Sequence, residues 1–292
     1  MSHDRHGLSG NRRRVQLALV LTAAFMIVEV AGGWLAGSLA LLADAGHMLT
    51  DTMALTLAAV AFGVSARPAD AKRSYGYHRF QILAAFVNGL TLLVIVGWIL
   101  LEALRRFMEP PAVAGGLMLA VAVAGLIVNV VVFLILHGGD QENLNMRGAA
   151  LHVMGDLLGS IGAMIAAVVI ITTGWVPIDP LLSVVVAGLI LRSAWLLVQR
   201  SAHILLEGTP EWLDVEQMQQ SLTASVPQIC GIHHVHVWGL TPQYLMLTMH
   251  VLVERSERDT TVVVRRVKRL LSDEFGIHHS TIEVETGGCA DE

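Results

Sequence analysis

Charge is scarce in this 292-residue sequence: Asp, Glu, Lys and Arg make up 15% of it, against 54% hydrophobic residues and a mean hydropathy of +0.62. Soluble globular domains carry about a quarter charged residues, so a water-soluble globule is excluded. Cysteine is scarcer still. Cys230 and Cys289 are the two present, with no paired spacing between them, which excludes a disulfide framework and a thiolate metal cluster. Any metal chemistry is then expected to use histidine and carboxylate.

What the sequence does have is long apolar stretches. Residues 80–101, 110–139 and 157–178 contain no Asp, Glu, Lys or Arg, and about 20 apolar helical residues suffice to cross a bilayer. Six spans fit, at 15–36, 39–64, 80–104, 113–136, 144–173 and 178–199, which makes this an integral membrane protein. The first span is too long for a signal-peptide core and holds Glu29, so it is expected to stay as a helix. Arg5, Arg12, Arg13 and Arg14 precede it, Arg67, Lys72, Arg73 and Arg79 lie between spans two and three, Arg147 opens span five and Arg200 follows span six. The other side has Arg105 and Arg106 alone, so both termini are expected in the cytoplasm.

The last 85 or so residues are a different object. Up to residue 207 the formal charge is +1, and from 208 onward it is −6, giving the total of −5. The expected partition is a cytoplasmic arm at 1–14, a six-helix membrane domain at 15–207 and a cytoplasmic domain at 208–292. In that tail 213–226 and 260–275 have helical spacing, while 232–240, 244–253 and 277–284 read as strands. The order helix, strand, strand, helix, strand predicts a small α+β domain with helices on one face of a short sheet. Its acidity excludes nucleic acid as a partner, and the basic residues Arg265, Arg266, Lys268 and Arg269 read as one solvated helix face.

Acids inside the spans direct attention to function. Glu29, Asp44, Asp51 and Asp156 lie within apolar segments, where a lipid-facing carboxylate is costly, so their faces must look into the bundle or a water-filled cavity. One pattern occurs twice: Asp44-Ala-Gly-His47-Met-Leu-Thr-Asp51 in span two and Ala149-Ala-Leu-His152-Val-Met-Gly-Asp156 in span five. Residues i and i+4 share a helix face, so each span presents an imidazole and a carboxylate to one point. His47, Asp51, His152 and Asp156 would complete a four-ligand site. Two nitrogens and two oxygens suit tetrahedral Zn2+, with cadmium, cobalt, iron and manganese behind it. Magnesium and calcium want six or more oxygens.

Two other classes answer to the same residues. An intramembrane zinc hydrolase would use Asp44 or Glu29 as its base, but four ligands leave no open position for water. A membrane-tethered sensor without transport would leave the ligands inside the spans unexplained.

The chain resembles the cation diffusion facilitator family of zinc-exporting transporters. The likeness is carried by the segment from Leu41 through Asp51, Tyr75-Gly76-Tyr77-His78-Arg79, Asn129, the helix from His152 to Asp156, Ile178-Asp179-Pro180-Leu181 and Leu206-Glu207-Gly208-Thr209-Pro210. It implies a homodimer in the membrane lipid, a ferredoxin-like cytoplasmic domain, exchange of a divalent cation for protons, and a transport site at His47, Asp51, His152 and Asp156. It also implies a regulatory zinc site in the tail drawn from His234, His236, His250, His278, Glu283 and Glu285. Strand alternation puts His234 and His236 on one face and His233 on the other. A weaker third site is implied in the loop between spans two and three, through Asp70 and His78, where Arg73 and Tyr77 stand at positions the family fills with histidine. With only His137 between spans four and five, the long His-rich loop of many eukaryotic relatives is missing, which points to a bacterial inner membrane.

Overall fold

The computed structural model describes residues 3–65, 67–137, 144–254, 259–287 and 289; for 3–13, 15, 51, 54, 55, 58, 59, 61, 62 and 144–152 it describes the backbone alone. Six long helices come first: α1 (His3–Ala36), α2 (Leu39–Ser65), α3 (Phe80–Met108), α4 (Gly115–His137), α5 (Leu144–Thr173) and α6 (Ile178–Leu205). Five of them are long and apolar enough to cross a membrane. The sixth, α2, is 27 residues long, about 40 Å at 1.5 Å per residue. Helix α1 begins at His3, well before the apolar stretch starts. Hydropathy marks where a helix meets lipid, not where it starts.

The chain divides into two compact units, one built from 1–57 and 87–197, the other from 58–86 and 198–292. In the first, large apolar side chains such as Trp34, Leu35, Leu101 and Leu158 point outward, while small and medium residues fill the interior. One interior cluster joins Phe25, Leu41, Met48, Met118 and Ala167; another joins Leu39, Val96, Ile99, Ala103 and Ile190. Close approach depends on glycine: a Cβ on Gly125 would lie 2.9 Å from the Phe25 ring. Asn129 is buried and donates through Nδ2 to Ser160 Oγ at 3.2 Å, tying α4 to α5.

In the second unit, α7 (Val215–Ser225), β1 (Ile229–Thr241), β2 (Tyr244–Val253), α8 (Thr260–Phe275) and β3 (His279–Glu285) follow in the expected order. Asp214 caps α7 by accepting from Gln217 N at 3.0 Å, and Gly276 ends α8 in the left-handed conformation at φ +63. Strands β1 and β2 form an antiparallel hairpin, and α8 crosses over to place β3 parallel to β2. Val263, Val267 and Leu271 of α8 pack with Met218 and Leu222 of α7 against Leu247, Met249 and Val251 of the sheet. Spacing by four on α8 and by two on β2 puts those residues on facing surfaces.

Strand β1 departs from simple alternation. His233 pairs with His250 and His236 with Thr248, so His234 and Val235 together oppose Met249. This is a β-bulge, and His234 takes φ +47 within it, a conformation uncommon for a residue with a Cβ. The expected division of faces is therefore corrected: the extra residue puts His233, opposite His250, on the same face as His236, opposite Thr248, and leaves the His234 ring beside His233.

Candidate metal centres

The membrane candidate sits where α2, α5 and α6 line a cavity of about 500 Å3. Asp44 and His47 reach it from α2, Gly155, Asp156 and Gly159 from α5, and Ser193 from α6. Asp44 and Asp156 are each 7% exposed. Asp51 and His152 lie one helical turn from His47 and Asp156 on the same helices, and their side chains fall outside the described ones. The glycine at 159 has a local reason, since a Cβ there would come 3.3 Å from Asp44 Oδ1. Asp44 thus lies close against α5, and Glu29 of α1, 2% exposed, shares a hydrogen bond with it. Sequence reasoning recognised Glu29 and Asp44 as intramembrane acids and offered either as a base near the metal only in the hydrolase reading, without pairing them with each other or with α5. The missing signal was the glycine opposite.

The loop candidate is spent on a turn. Asp70 Oδ1 accepts from the backbone N–H groups of Lys72 and Arg73, each at 2.8 Å, and Oδ2 accepts from Tyr77 Oη at 2.7 Å. The Arg73 guanidinium stacks over the Tyr77 ring at 4.7 Å. His78 lies parallel to the Tyr244 ring, with centroids 5.1 Å apart, and the adjacent Arg79 pairs with Glu207 at 2.9 Å. Arg73 and Tyr77, standing where histidines would serve an ion, hold the Asp70 carboxylate themselves. The Tyr77 hydroxyl first, then the Lys72 and Arg73 amides, hold the Asp70 carboxyl below the usual carboxylate range. A folded-state pKa lowered in this way stabilises the loop above the ordinary carboxylate range, and the stabilisation is lost as pH falls through the lowered value. Tyr77→Phe is expected to move the Asp70 titration midpoint upward, read by the carboxyl carbon shift in NMR. An unmoved midpoint would remove the tyrosine from the account.

The third candidate is the richest. His233, His234, His250 and Cys289 each offer a ligand atom, all within 4.8 Å of one another. Ring centroids are 5.2 Å apart for His233 and His234, 5.4 Å for His233 and His250, and 4.9 Å for His234 and His250. Glu285, 6% exposed, has Oε1 2.9 Å from His250 Nδ1 and Oε2 3.1 Å from His233 Nε2. Glu283 Oε2 lies 3.7 Å from His250 Nε2, as its register opposite His250 in the parallel pair requires. Of the expected tail residues, His234, His250, Glu283 and Glu285 are brought together. His236 is exposed on the strand beyond the bulge, and His278 Nδ1 is 2.9 Å from Ser272 Oγ at the end of α8. His233 joins where His236 was expected, because of the bulge. Cys289, which the sequence analysis set aside, lies in the same cluster, since a lone cysteine gains partners through the sheet rather than through spacing.

Residues 15–206 match the cation efflux transmembrane domain, and residues 210–287 match the cytoplasmic domain of cation efflux proteins. The zinc transporter ZitB of Pectobacterium atrosepticum is 49% identical over 294 residues, spanning 100% of this chain and 91% of the relative. The metal cation efflux system protein CzcD of Cupriavidus metallidurans is 41% identical, over 99% of this chain and 90% of the relative. A cadmium, cobalt and zinc/H+–K+ antiporter of Bacillus velezensis is also 41% identical, over 98% and 92%. Matches of this extent cover both the membrane helices and the tail, and the chain belongs to the cation efflux family of secondary active membrane transporters.

Proposed function

We propose that this protein exports Zn2+ from the cytoplasm across the bacterial inner membrane in exchange for protons, as a homodimer with both termini cytoplasmic. Zinc is the substrate, held during transit by His47, Asp51, His152 and Asp156. The observation that carries the reading is the cavity into which α2 brings His47 and α5 brings Asp156. One turn along each helix stands the second member of each pair. Relatives named as zinc transporters and as a cadmium, cobalt and zinc antiporter support the choice of ion.

Coupling follows from ligand chemistry. Histidine must be neutral and a carboxylate ionised to hold a metal ion, so protons and zinc compete for the same lone pairs. Imidazole titrates near ~6.5 when unperturbed, inside the range an outer compartment reaches. Zinc arriving from a cytoplasm near neutrality displaces protons, and protons from a more acidic outside displace zinc. Rocking of the helices between inward and outward openings turns that competition into exchange. The tail, at 208–292, is the regulatory domain in this reading, its occupancy biasing the transport cycle through a difference in affinity for two arrangements.

Zinc flux into inside-out or reconstituted vesicles tests the proposal. Uptake is expected to rise with an imposed pH gradient and to fall to background when an ionophore collapses it. Zinc flux that ignores the gradient would overturn proton coupling, and zinc binding without flux would overturn transport.

A further inference from the structure

We propose that the metal site of the C-terminal domain is a histidine–thiolate site in which Cys289 is a direct ligand beside His233, His234 and His250. The inference rests on the reading that this domain binds metal, and it replaces the His and carboxylate set with a softer one. Cys289 Sγ lies 3.7 Å from both His234 Nδ1 and His250 Nδ1. Ligands of a tetrahedral zinc ion with ordinary Zn–N and Zn–S lengths stand about 3.3–3.6 Å apart. Cys289 is within a few tenths of an ångström of that spacing from both histidines, and the full set, within 4.8 Å, closes by about 1 Å more at its widest.

Three features of the backbone bring these groups together. The β1–β2 register sets His233 opposite His250. The bulge at His234, held at φ +47, adds a second histidine from the same strand, and a strained backbone of this kind is found at ligand sites more often than elsewhere. The parallel pairing of β3 with β2 runs to Glu285 opposite Leu252, and four residues later the chain has returned Cys289 over the histidines.

The carboxylates then have a different task. Glu285 is buried and faces nitrogens of both His233 and His250. A metal-binding imidazole commonly donates its second N–H to such a carboxylate, which fixes the ring and raises its basicity. Glu285 Oε2 has that place at His233 Nε2, and Glu283 Oε2, 3.7 Å from His250 Nε2, has it at His250, whose Nδ1 is the nitrogen turned to Cys289. Both carboxylates are positioning residues and balance the charge of a divalent ion, and Glu285 Oε1, 2.9 Å from that Nδ1, gives way to the ion on binding. Binding forms a metal–sulfur bond and breaks the S–H bond, with the proton passing to water. Such a set takes zinc, cadmium or cobalt, and it discriminates against magnesium, calcium and manganese, which prefer oxygen.

The test uses the full-length protein with Cys230→Ser, which leaves Cys289 as its single thiol. Titration with Co2+ is expected to raise a near-ultraviolet thiolate-to-cobalt absorption that zinc abolishes by displacement. The band is expected to vanish in the Cys230→Ser/Cys289→Ser protein, with affinity at this site falling at least about tenfold. The candidate ligands on α2 and α5 are His and Asp, so they cannot produce it. Zinc is also expected to protect Cys289 from N-ethylmaleimide, with His250→Ala removing the protection. If His250→Ala lowers the amount of cobalt bound but no thiolate band appears, the ion is held by histidine and Glu285, and the proposal is wrong while the domain still binds metal. If His250→Ala leaves the bound cobalt unchanged and no band appears, both the proposal and the metal-binding reading of the domain fail.

Discussion

Asp156→Ala is expected to lower gradient-driven zinc flux by at least about 100-fold in reconstituted vesicles. Changes to partners one shell out from a metal cost about 10–100-fold, and a ligand itself costs more. The physical reason is charge as much as geometry. Even a singly charged ion pays an idealised penalty of order ~20 kcal/mol on leaving water for an apolar interior, and a dication pays more. In the proposed site two carboxylates would cancel that charge, and Asp156, 7% exposed at the wall of the cavity, would be one of them. Asp156→Asn keeps the shape and removes the charge, so it is expected to lose flux to a similar degree. Ile165→Ala on the same helix, at a position 57% exposed, serves as the control for handling and folding. Equilibrium zinc binding measured beside flux separates a lost ligand from a jammed cycle. Flux in Asp156→Asn within a few-fold of wild type, in protein of normal thermal stability, would take Asp156 out of the transport site.

The two halves of this molecule were legible to different depths. Apolar length placed five of the six long helices, because bilayer thickness imposes a minimum run that few other structures need, and the sixth, α2, was placed across its own acids Asp44 and Asp51. The His-x3-Asp pairs were legible for a similar reason: both members sit on one helix, and the i, i+4 rule acts within a single element. Residues whose partners come from another element were not. Asp44 carried no label that it would lie against Gly159 of α5, and Asp70 gave no sign that Tyr77 would occupy one of its oxygens.

The tail shows the same limit more sharply. Period-two spacing named the strands, but alternation holds only while the register does. The two-against-one pairing at His234 and Val235 exchanged His236 for His233 in the cluster. No residue in that stretch advertises a bulge, since the left-handed position that usually favours glycine is taken by a histidine. Cys289 was invisible for a topological reason. It reaches the histidines of β1 and β2 through the crossover that sets β3 parallel to β2, and no sequence spacing encodes that return.

Asp179→Ala is expected to destabilise the membrane unit by about 3–5 kcal/mol, the usual cost of leaving one partner of a buried charge pair behind. Asp179 opens α6 and is fully buried. Its carboxylate accepts from Ser38 Oγ at 2.6 Å, from Leu39 N at 2.7 Å and from Ala40 N at 3.2 Å. It therefore satisfies the first amides of α2, which have no partner within their own helix. Arg106, near the end of α3, lies 3.6 Å from Oδ2, holds Glu102 at 3.0 Å, and donates to Gly37 O at 2.6 Å. Gly37 takes φ +68, and a Cβ there would come 3.0 Å from Ala112 O, so the link between α1 and α2 has little room to adjust. One carboxylate thus joins the start of α2, the end of α3 and the start of α6. Alanine would strand the α2 amides and Ser38 and leave Arg106 with Glu102 and Gly37 O alone, whereas Asp179→Asn keeps an acceptor and loses only the charge facing Arg106, so its loss is expected to be smaller. Thermal unfolding of the purified protein reads the difference, with a fall on the order of 10 °C for alanine. The folded fraction should also transport poorly, because α2 carries His47, and a displacement of about 1 Å far from the chemistry can cost a site ~100-fold. An unchanged unfolding temperature in Asp179→Ala would mean that water satisfies the α2 amides and Arg106 in its place. The expected loss also bears on why a basic residue stands at the end of α3: its side chain is 14% exposed and faces a fully buried carboxylate.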